Sequence, residues 1–372
     1  MPLRVLFVNP SPVRGGAEEI LIGICRGVDP GRIRPTVACL VDGPFPDDLE
    51  AAGIPVVRLR AGRLRQAVKW AATVRRLSSL ARKHDLVVSW QVKGHFYGTP
   101  AAYLARRPAA WWDHGIRPRR GEPRYWPDGI LPKLLPVVAV AADSHAAALP
   151  IPGAVGVHPG IDARPYIDAA TERVAARDEL GIRAADTAIG IVGRLQPWKG
   201  QHVFLRAAAH LAERPDTVFV VVGDAIGGFS ATYPASLRAL SADLGITDGV
   251  RFTGQRTDIP RVLAALDIFV HASAAEPFGI VIVEAMAAGK PVVATRGGGV
   301  DEIITDEVNG LLVDYEDDRG LAKAVERLLD DPALATRLAE AGRTIAVERF
   351  TPENMVEHAT QFFERAARKG NP

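Results

Sequence analysis

Short apolar runs alternate with amphipathic stretches along the whole chain. Residues 3–8 have the length and content of a buried strand, 10–16 form a turn-rich loop, and 17–27 carry helical periodicity. Apolar runs at 35–40, 54–59, 86–90, 109–113, 137–140 and 154–157 read as further strands. Apolar strands separated by helical patterns imply βαβ units and a parallel sheet covered on both faces. The rhythm pauses at 163–186, which is charged and mixed, contains Pro165, and reads as an interdomain linker with an exposed helix. It then restarts, with strands at 187–192, 217–222, 250–253, 268–271, 291–294 and 310–313. Helices are expected over 201–214, 233–244, 259–266, 279–288 and 320–330. The pattern predicts an α/β chain of two doubly wound, Rossmann-like domains, 1–163 and 187–350, facing each other across a cleft.

Composition agrees with this reading. The chain has 372 residues, more than one ordinary core needs. It is 48% hydrophobic and 24% charged, as soluble globular proteins are. A net charge of +2 gives no whole-chain signal for a nucleic-acid partner. Cys25 and Cys39 sit among apolar residues and read as free, buried thiols; nothing has zinc-ligand spacing. The first apolar run ends at Val8, too short for a signal-peptide core, and the run 134–142 is far below the ~20 residues of a membrane span. The expected location is the cytoplasm, with peripheral attachment at the inner face of the membrane left open.

Ligands of open α/β sheets sit outside the carboxyl ends of the strands, so the loops there hold the candidate chemistry. One is Glu276-Pro277-Phe278-Gly279, from which a helix starts that Gly289 and Pro291 stop. Its first turn offers the amides of Gly279, Ile280 and Val281 and a partial positive charge, which favour a phosphate or a hydroxyl-bearing ligand. Glu284 lies one turn in, within an almost wholly apolar run, where a lone carboxylate needs partners. A carboxylate pair usually suggests acid/base work. Beside an anion site, Glu276 and Glu284 fit better as acceptors for the hydroxyls of two sugars. The second loop, Gly193-Arg194-Leu195-Gln196-Pro197-Trp198-Lys199-Gly200, sets two cations against the two charges of a diphosphate. Gly297-Gly298-Gly299 is read as a phosphate-side loop.

These motifs resemble the signature of the retaining GT-B glycosyltransferases of family 4: Glu276-x7-Glu284 within Glu-Pro-Phe-Gly…Glu-Ala-Met-Ala, Gly193-Arg194…Lys199-Gly200, Gly254, Gly297–Gly299…Glu302 and Asn309-Gly310. Gly15-Gly16-Ala17-Glu18, His114-Gly115 and Pro159-Gly160-Ile161-Asp162 fit the same order, although Asn-Gly is usual where Pro159-Gly160 stands and Trp198 is unexpected. The likeness is looser between residues 40 and 135.

The resemblance implies that Arg194 and Lys199 bind the diphosphate and stabilise it as it leaves, and that Glu284 binds the ribose. Glu276 and the amides of Phe278, Gly279, Ile280 and Val281 would hold the donor sugar and phosphate. Gly16 would approach the diphosphate and His114 the reacting sugar, while Gly193, Gly254 and Arg256 would border the nucleotide. The segment 351–372 would be a helix crossing back to the first domain. No cofactor and no metal are expected. The substrate would be a UDP- or GDP-linked sugar, attacked on its front face by the hydroxyl of a sugar, polyol, natural product or lipid-linked acceptor.

Nine Lys or Arg and no acidic residue fall between residues 51 and 84: Arg58, Arg60, Arg63, Arg65, Lys69, Arg75, Arg76, Arg82 and Lys83. With Leu64, Val68, Ala71, Val74, Leu77 and Ala81 at helical spacing, this stretch reads either as a core-facing helix with a solvated basic back or as a surface for an anionic membrane or acidic acceptor. The basic, aromatic stretch 117–126 would border the acceptor. A pseudo-glycosyltransferase, a sugar-nucleotide epimerase and a non-catalytic sugar-nucleotide binder are the rival readings, and the chain is expected as a monomer or homodimer.

Overall fold

Seven parallel strands form the sheet of the first unit in a computed structural model that describes residues 1–61, 64–114, 137–140, 154–214, 216–225 and 231–368. In chain order the elements are β1 (Leu3–Asn9), α1 (Gly16–Gly27), β2 (Ile33–Cys39), α2 (Pro44–Ala51), β3 (Val56–Arg58), α3 (Ala67–Ala81), β4 (Leu86–Trp90), α4 (Gln91–Ala105), β5 (Ala109–Asp113), β6 (Val137–Val140) and β7 (Val155–Gly156). The strand order is β3-β2-β1-β4-β5-β6-β7. β1, β4 and β5 are almost wholly buried because helices cover both faces, so they read as continuous apolar runs. Cys25 and Cys39 are buried and unbridged.

Sequence periodicity did not assign α4. Gly94, Gly98 and Pro100 all argue against a helix there. A Cβ on Gly94 would lie 2.5 Å from Val8 O, so the glycine lets this buried helix seat on β1. Pro100 lacks the N–H that would reach Phe96 O; the Trp70 indole donates to that carbonyl instead, at 3.1 Å.

The second unit contains α5 (Arg164–Asp168), α6 (Arg173–Glu179), β8 (Thr187–Val192), α7 (Gln201–His210), β9 (Thr217–Val222), α8 (Tyr233–Asp243), β10 (Val250–Gly254), α9 (Ile259–Ala265), β11 (Ile268–His271), α10 (Ile280–Ala287), β12 (Val292–Thr295), α11 (Val300–Ile303), β13 (Leu311–Val313), α12 (Asp318–Asp330) and α13 (Pro332–Arg349). Its six-stranded sheet has the order β10-β9-β8-β11-β12-β13.

The segment expected as a linker folds into this unit, which spans Ile161–Thr351. Arg173 donates to Ala264 O at 2.7 Å and Leu266 O at 2.8 Å, and Arg177 to Ala265 O at 2.9 Å. These are the orphan carbonyls at the negative end of α9, and the two arginines satisfy them. Lys290 joins them with bonds to the same region, and burial pulls its ammonium down to about 8. The mixed charge of 163–186 thus caps a helix rather than solvating a tether.

After Thr351 the chain returns to the first unit as α14 (Pro352–Arg368). Phe363 lies edge-on to Phe7 at 5.4 Å and Phe362 edge-on to Trp112 at 6.1 Å. Full burial of each ring stabilises by about 1.5–3 kcal/mol. Arg32 ties the exposed side to Glu357 at 2.7 Å and Glu364 at 3.0 Å. No helix among the described residues is long and apolar enough to cross a membrane.

Candidate active site

In a doubly wound sheet the ligand crevice opens where adjacent strands send their connections to opposite faces. In the second unit those strands are β8 and β11. The loops that leave them carry Lys199 and Glu276. Lys199 Nζ donates to Glu276 Oε2 at 2.6 Å, and the two side chains are only 15% and 11% exposed. His271, the last residue of β11, places Nε2 3.2 Å from the same oxygen and 3.2 Å from Ser273 Oγ. His271 Nδ1 is buried with no hydrogen-bond partner among the described residues. The tautomer protonated at Nε2 is the neutral form that gives Glu276 a donor. Burial pulls the Glu276 carboxyl up, but the Lys199 ammonium and His271 outweigh that and hold it down at about 2.

Two glycines make this approach of loops achievable. Gly200 has φ 73°, and a Cβ there would fall 1.8 Å from Ala272 O, so the Lys199 loop rests directly on the chain leaving β11. Gly298 has φ 67°, and its Cβ would fall 2.2 Å from Glu276 O. Gly299 N donates to that carbonyl at 2.8 Å. The triple glycine thus supports the Glu276 backbone. Trp198, unexpected in a cationic loop, lies under the charge, with its ring centroid 4.3 Å from Lys199 Nζ.

Arg194 is exposed, and its carbonyl accepts from Gln201 Nε2 at 2.9 Å. Gly193 N donates to Val222 O at 3.0 Å. Gly279, at φ 106°, is the N-cap of the eight-residue α10, and Ile280 and Val281 open its first turn. The Phe278 ring is 3% exposed and meets Phe350 edge-on at 5.4 Å, so only its backbone remains for a ligand. Glu284 Oε1 accepts from Tyr166 Oη at 2.7 Å. Gly254 ends β10 at φ 71°. The Arg256 guanidinium is ion-paired with Asp258 and Glu179, each at 2.7 Å, and lines a groove of about 460 Å³ with Phe252, Thr253 and Arg238. Its charge is therefore already balanced within the protein.

Gly16 and His114 belong to the first unit. Gly16 is the exposed first residue of α1. His114 follows β5, with its ring 4.8 Å from Trp90 and 6.4 Å from Trp112. Gly115 and the stretch 117–126 lie outside the described residues. Asn309 is 1% exposed; it accepts from Thr305 N at 2.7 Å and donates to Ile303 O at 2.9 Å, which makes it a turn-holding residue.

Sequence reasoning missed His271 and Tyr166. His271 could have been found, since it ends a strand at the switch point. Tyr166 gave no signal, because 118 positions separate it from Glu284.

A family model described as glycosyl transferases group 1 matches residues 172–345, all within the second unit. The D-inositol 3-phosphate glycosyltransferase of Salinispora arenicola is 38% identical over 197 residues, 50% of this chain and 44% of that protein. The protein of that name from Corynebacterium urealyticum is 38% identical over 228 residues, 59% of this chain and 52% of its own. The chain thus spans about half the length of the curated relatives it matches. Among solved structures, Anabaena Alr3699/HepE in complex with UDP-glucose is 30% identical, with a TM-score of 0.84, and covers 98% of this chain and 100% of that one. Two parallel Rossmann-like units, a likeness to that structure over nearly the whole chain, and the match in the second unit agree: the chain has the GT-B fold and belongs to the glycosyl transferases group 1 family.

Proposed function

We propose that this chain moves a sugar from a nucleotide-diphosphate sugar to an acceptor hydroxyl, with retention of anomeric configuration and without a metal. The observation that carries this is the Lys199–Glu276 pair at the switch point of the second sheet, beside the first turn of α10. An ammonium has three donors, so Lys199 can hold Glu276 and still face a phosphate. Lys199, Arg194 and the amides of α10 stabilise the negative charge that builds on the leaving diphosphate. Glu276 accepts from hydroxyls of the donor sugar, and Glu284 from the ribose. The leaving phosphate takes the acceptor proton during attack on the same face.

The likeness to a protein solved with UDP-glucose supports a UDP-sugar donor. The names of the inositol phosphate enzymes support a polyol or sugar acceptor. Product analysis by NMR should show the donor's anomeric configuration kept, with turnover unchanged by EDTA. A glycosyl adduct trapped on Glu276, or loss of activity on chelation that a divalent cation restores, would sink the mechanism.

The basic stretch gives a further expectation. Arg58 is neutralised by Asp42, Asp47 and Glu50, and Arg60 by Asp42. α3 turns Val74, Leu77 and Ala81 to the core, yet Val68 is 85% and Leu64 41% exposed, next to Arg65 and Lys69. We propose that this end of α3 rests on anionic membrane. Co-sedimentation with vesicles containing phosphatidylglycerol, but not with pure phosphatidylcholine, is the expected result. Equal recovery with both leaves α3 an ordinary solvated helix.

A further inference from the structure

The carboxylate assigned to the ribose is itself held in place. Tyr166 Oη donates to Glu284 Oε1 at 2.7 Å, and both side chains are half-buried. Tyr166 lies on α5, the short helix with which the second unit begins. That helix is anchored at several points. Ile161 N donates to Phe350 O at 2.9 Å, and the Phe350 ring packs on Phe278, just ahead of α10. The amides of Tyr166 and Ile167 both donate to Ala163 O at 3.1 Å. The phenol therefore reaches α10 from a fixed backbone.

A glutamate has three side-chain torsions, and a half-buried one must give up that freedom when it grips a ligand. A bond at Oε1 fixes the carboxylate plane beforehand. The hydroxyls of a vicinal diol need that plane set toward them, and a dideoxy sugar does not use it.

We propose that Tyr166 is a positioning residue for ribose recognition, which pre-sets Glu284 so that the chain selects ribonucleoside over dideoxyribonucleoside diphosphates. This rests on the assignment of Glu284 to the ribose. The test is titration of the full chain with UDP, GDP and ADP and with their 2′,3′-dideoxy forms. It compares the parent chain, Tyr166→Phe, Glu284→Ala and the double variant.

Immobilising one flexible side chain costs an amount equivalent to about 3- to 10-fold in affinity, so Tyr166→Phe should weaken the ribonucleotide by about that factor. Affinity for the dideoxy form should stay unchanged, and the ribo/dideoxy ratio should fall. The double variant should bind no more weakly than Glu284→Ala. If Glu284→Ala lowers the ratio and Tyr166→Phe does not, or if Tyr166→Phe weakens both nucleotide forms equally, the positioning role is overturned while the ribose assignment stands. If Glu284→Ala leaves the ratio unchanged, the ribose assignment falls and this inference with it.

Discussion

Lys199→Ala should lower turnover by about 10²- to 10³-fold, the usual cost of removing one pre-placed stabiliser of developing negative charge. It should also lower the free energy of unfolding by about 3–5 kcal/mol, because it strands a buried carboxylate. Glu276 is 11% exposed and is held by Lys199 and His271. Without the ammonium, His271 alone is left to hold a full charge out of water. The two losses can be separated. The double variant Lys199→Ala/Glu276→Gln removes the stranded charge, so urea unfolding should return most of the lost stability while turnover stays low. If Lys199→Ala costs no further turnover in the Glu276→Gln background, Lys199 acts only by balancing Glu276, and its assignment to the diphosphate is wrong.

Glu276→Gln should reduce kcat by about 10²-fold and change the donor KM little, the behaviour of a contact that strengthens in the transition state. Glu284→Ala should do the opposite and mainly weaken nucleotide binding. If the two variants behave alike, the division of roles is wrong. Glu276→Gln also has a signature in pH. The folded protein lowers this carboxyl from an ordinary 4.5 to about 2. A lowered carboxylate supplies stability that is fully present above its unfolded value and is lost as pH falls through the folded one. The parent chain should therefore lose stability between about pH 5 and about pH 2 more steeply than Glu276→Gln does. Parallel melting curves across that window would mean that Glu276 is not held as described.

The strands were readable because buried parallel strands are short apolar runs, and no competing signal breaks β1, β4, β8 or β11. Helices that bury small residues were harder. The 18-residue α13 went unassigned although Asp331 caps it and Pro332 opens it. Its buried positions are Leu338, Ala339, Gly342 and Ala346, which carry little apolar contrast. α4 was hidden by its own glycines and proline, whose costs are offset by close seating on the sheet and by Trp70. The linker reading of 163–186 failed for a different reason. Arginines that satisfy helix-end carbonyls have the same composition as arginines in water, and only the fold distinguishes them.

At the site, Lys199 and Glu276 were legible because each follows a strand in a loop whose glycines permit close approach. Their direct pairing was not, since they are 77 positions apart. The expectation for Arg256 took no account of its neighbours, Asp258 in sequence and Glu179 in space, which already balance its charge. The triple glycine, read as a phosphate loop, shapes the backbone that presents Glu276. Charge and glycine content identify where a ligand can bind, but which groups already satisfy one another is settled by tertiary packing.

In the proposed function the second unit holds a nucleotide-diphosphate sugar against Lys199 and Glu276. Thermal denaturation with a panel of UDP-, GDP- and ADP-sugars tests it most directly, since a ligand at about 100 times its Kd adds about 2.7 kcal/mol to the folded state. One nucleotide class should raise the melting temperature of the parent chain by several degrees, and that rise should largely disappear in the Lys199→Ala/Glu276→Gln chain, in which no stranded charge depresses stability. No rise with any of the sugars, or the same rise in both chains, would mean that Lys199 and Glu276 do not hold such a ligand.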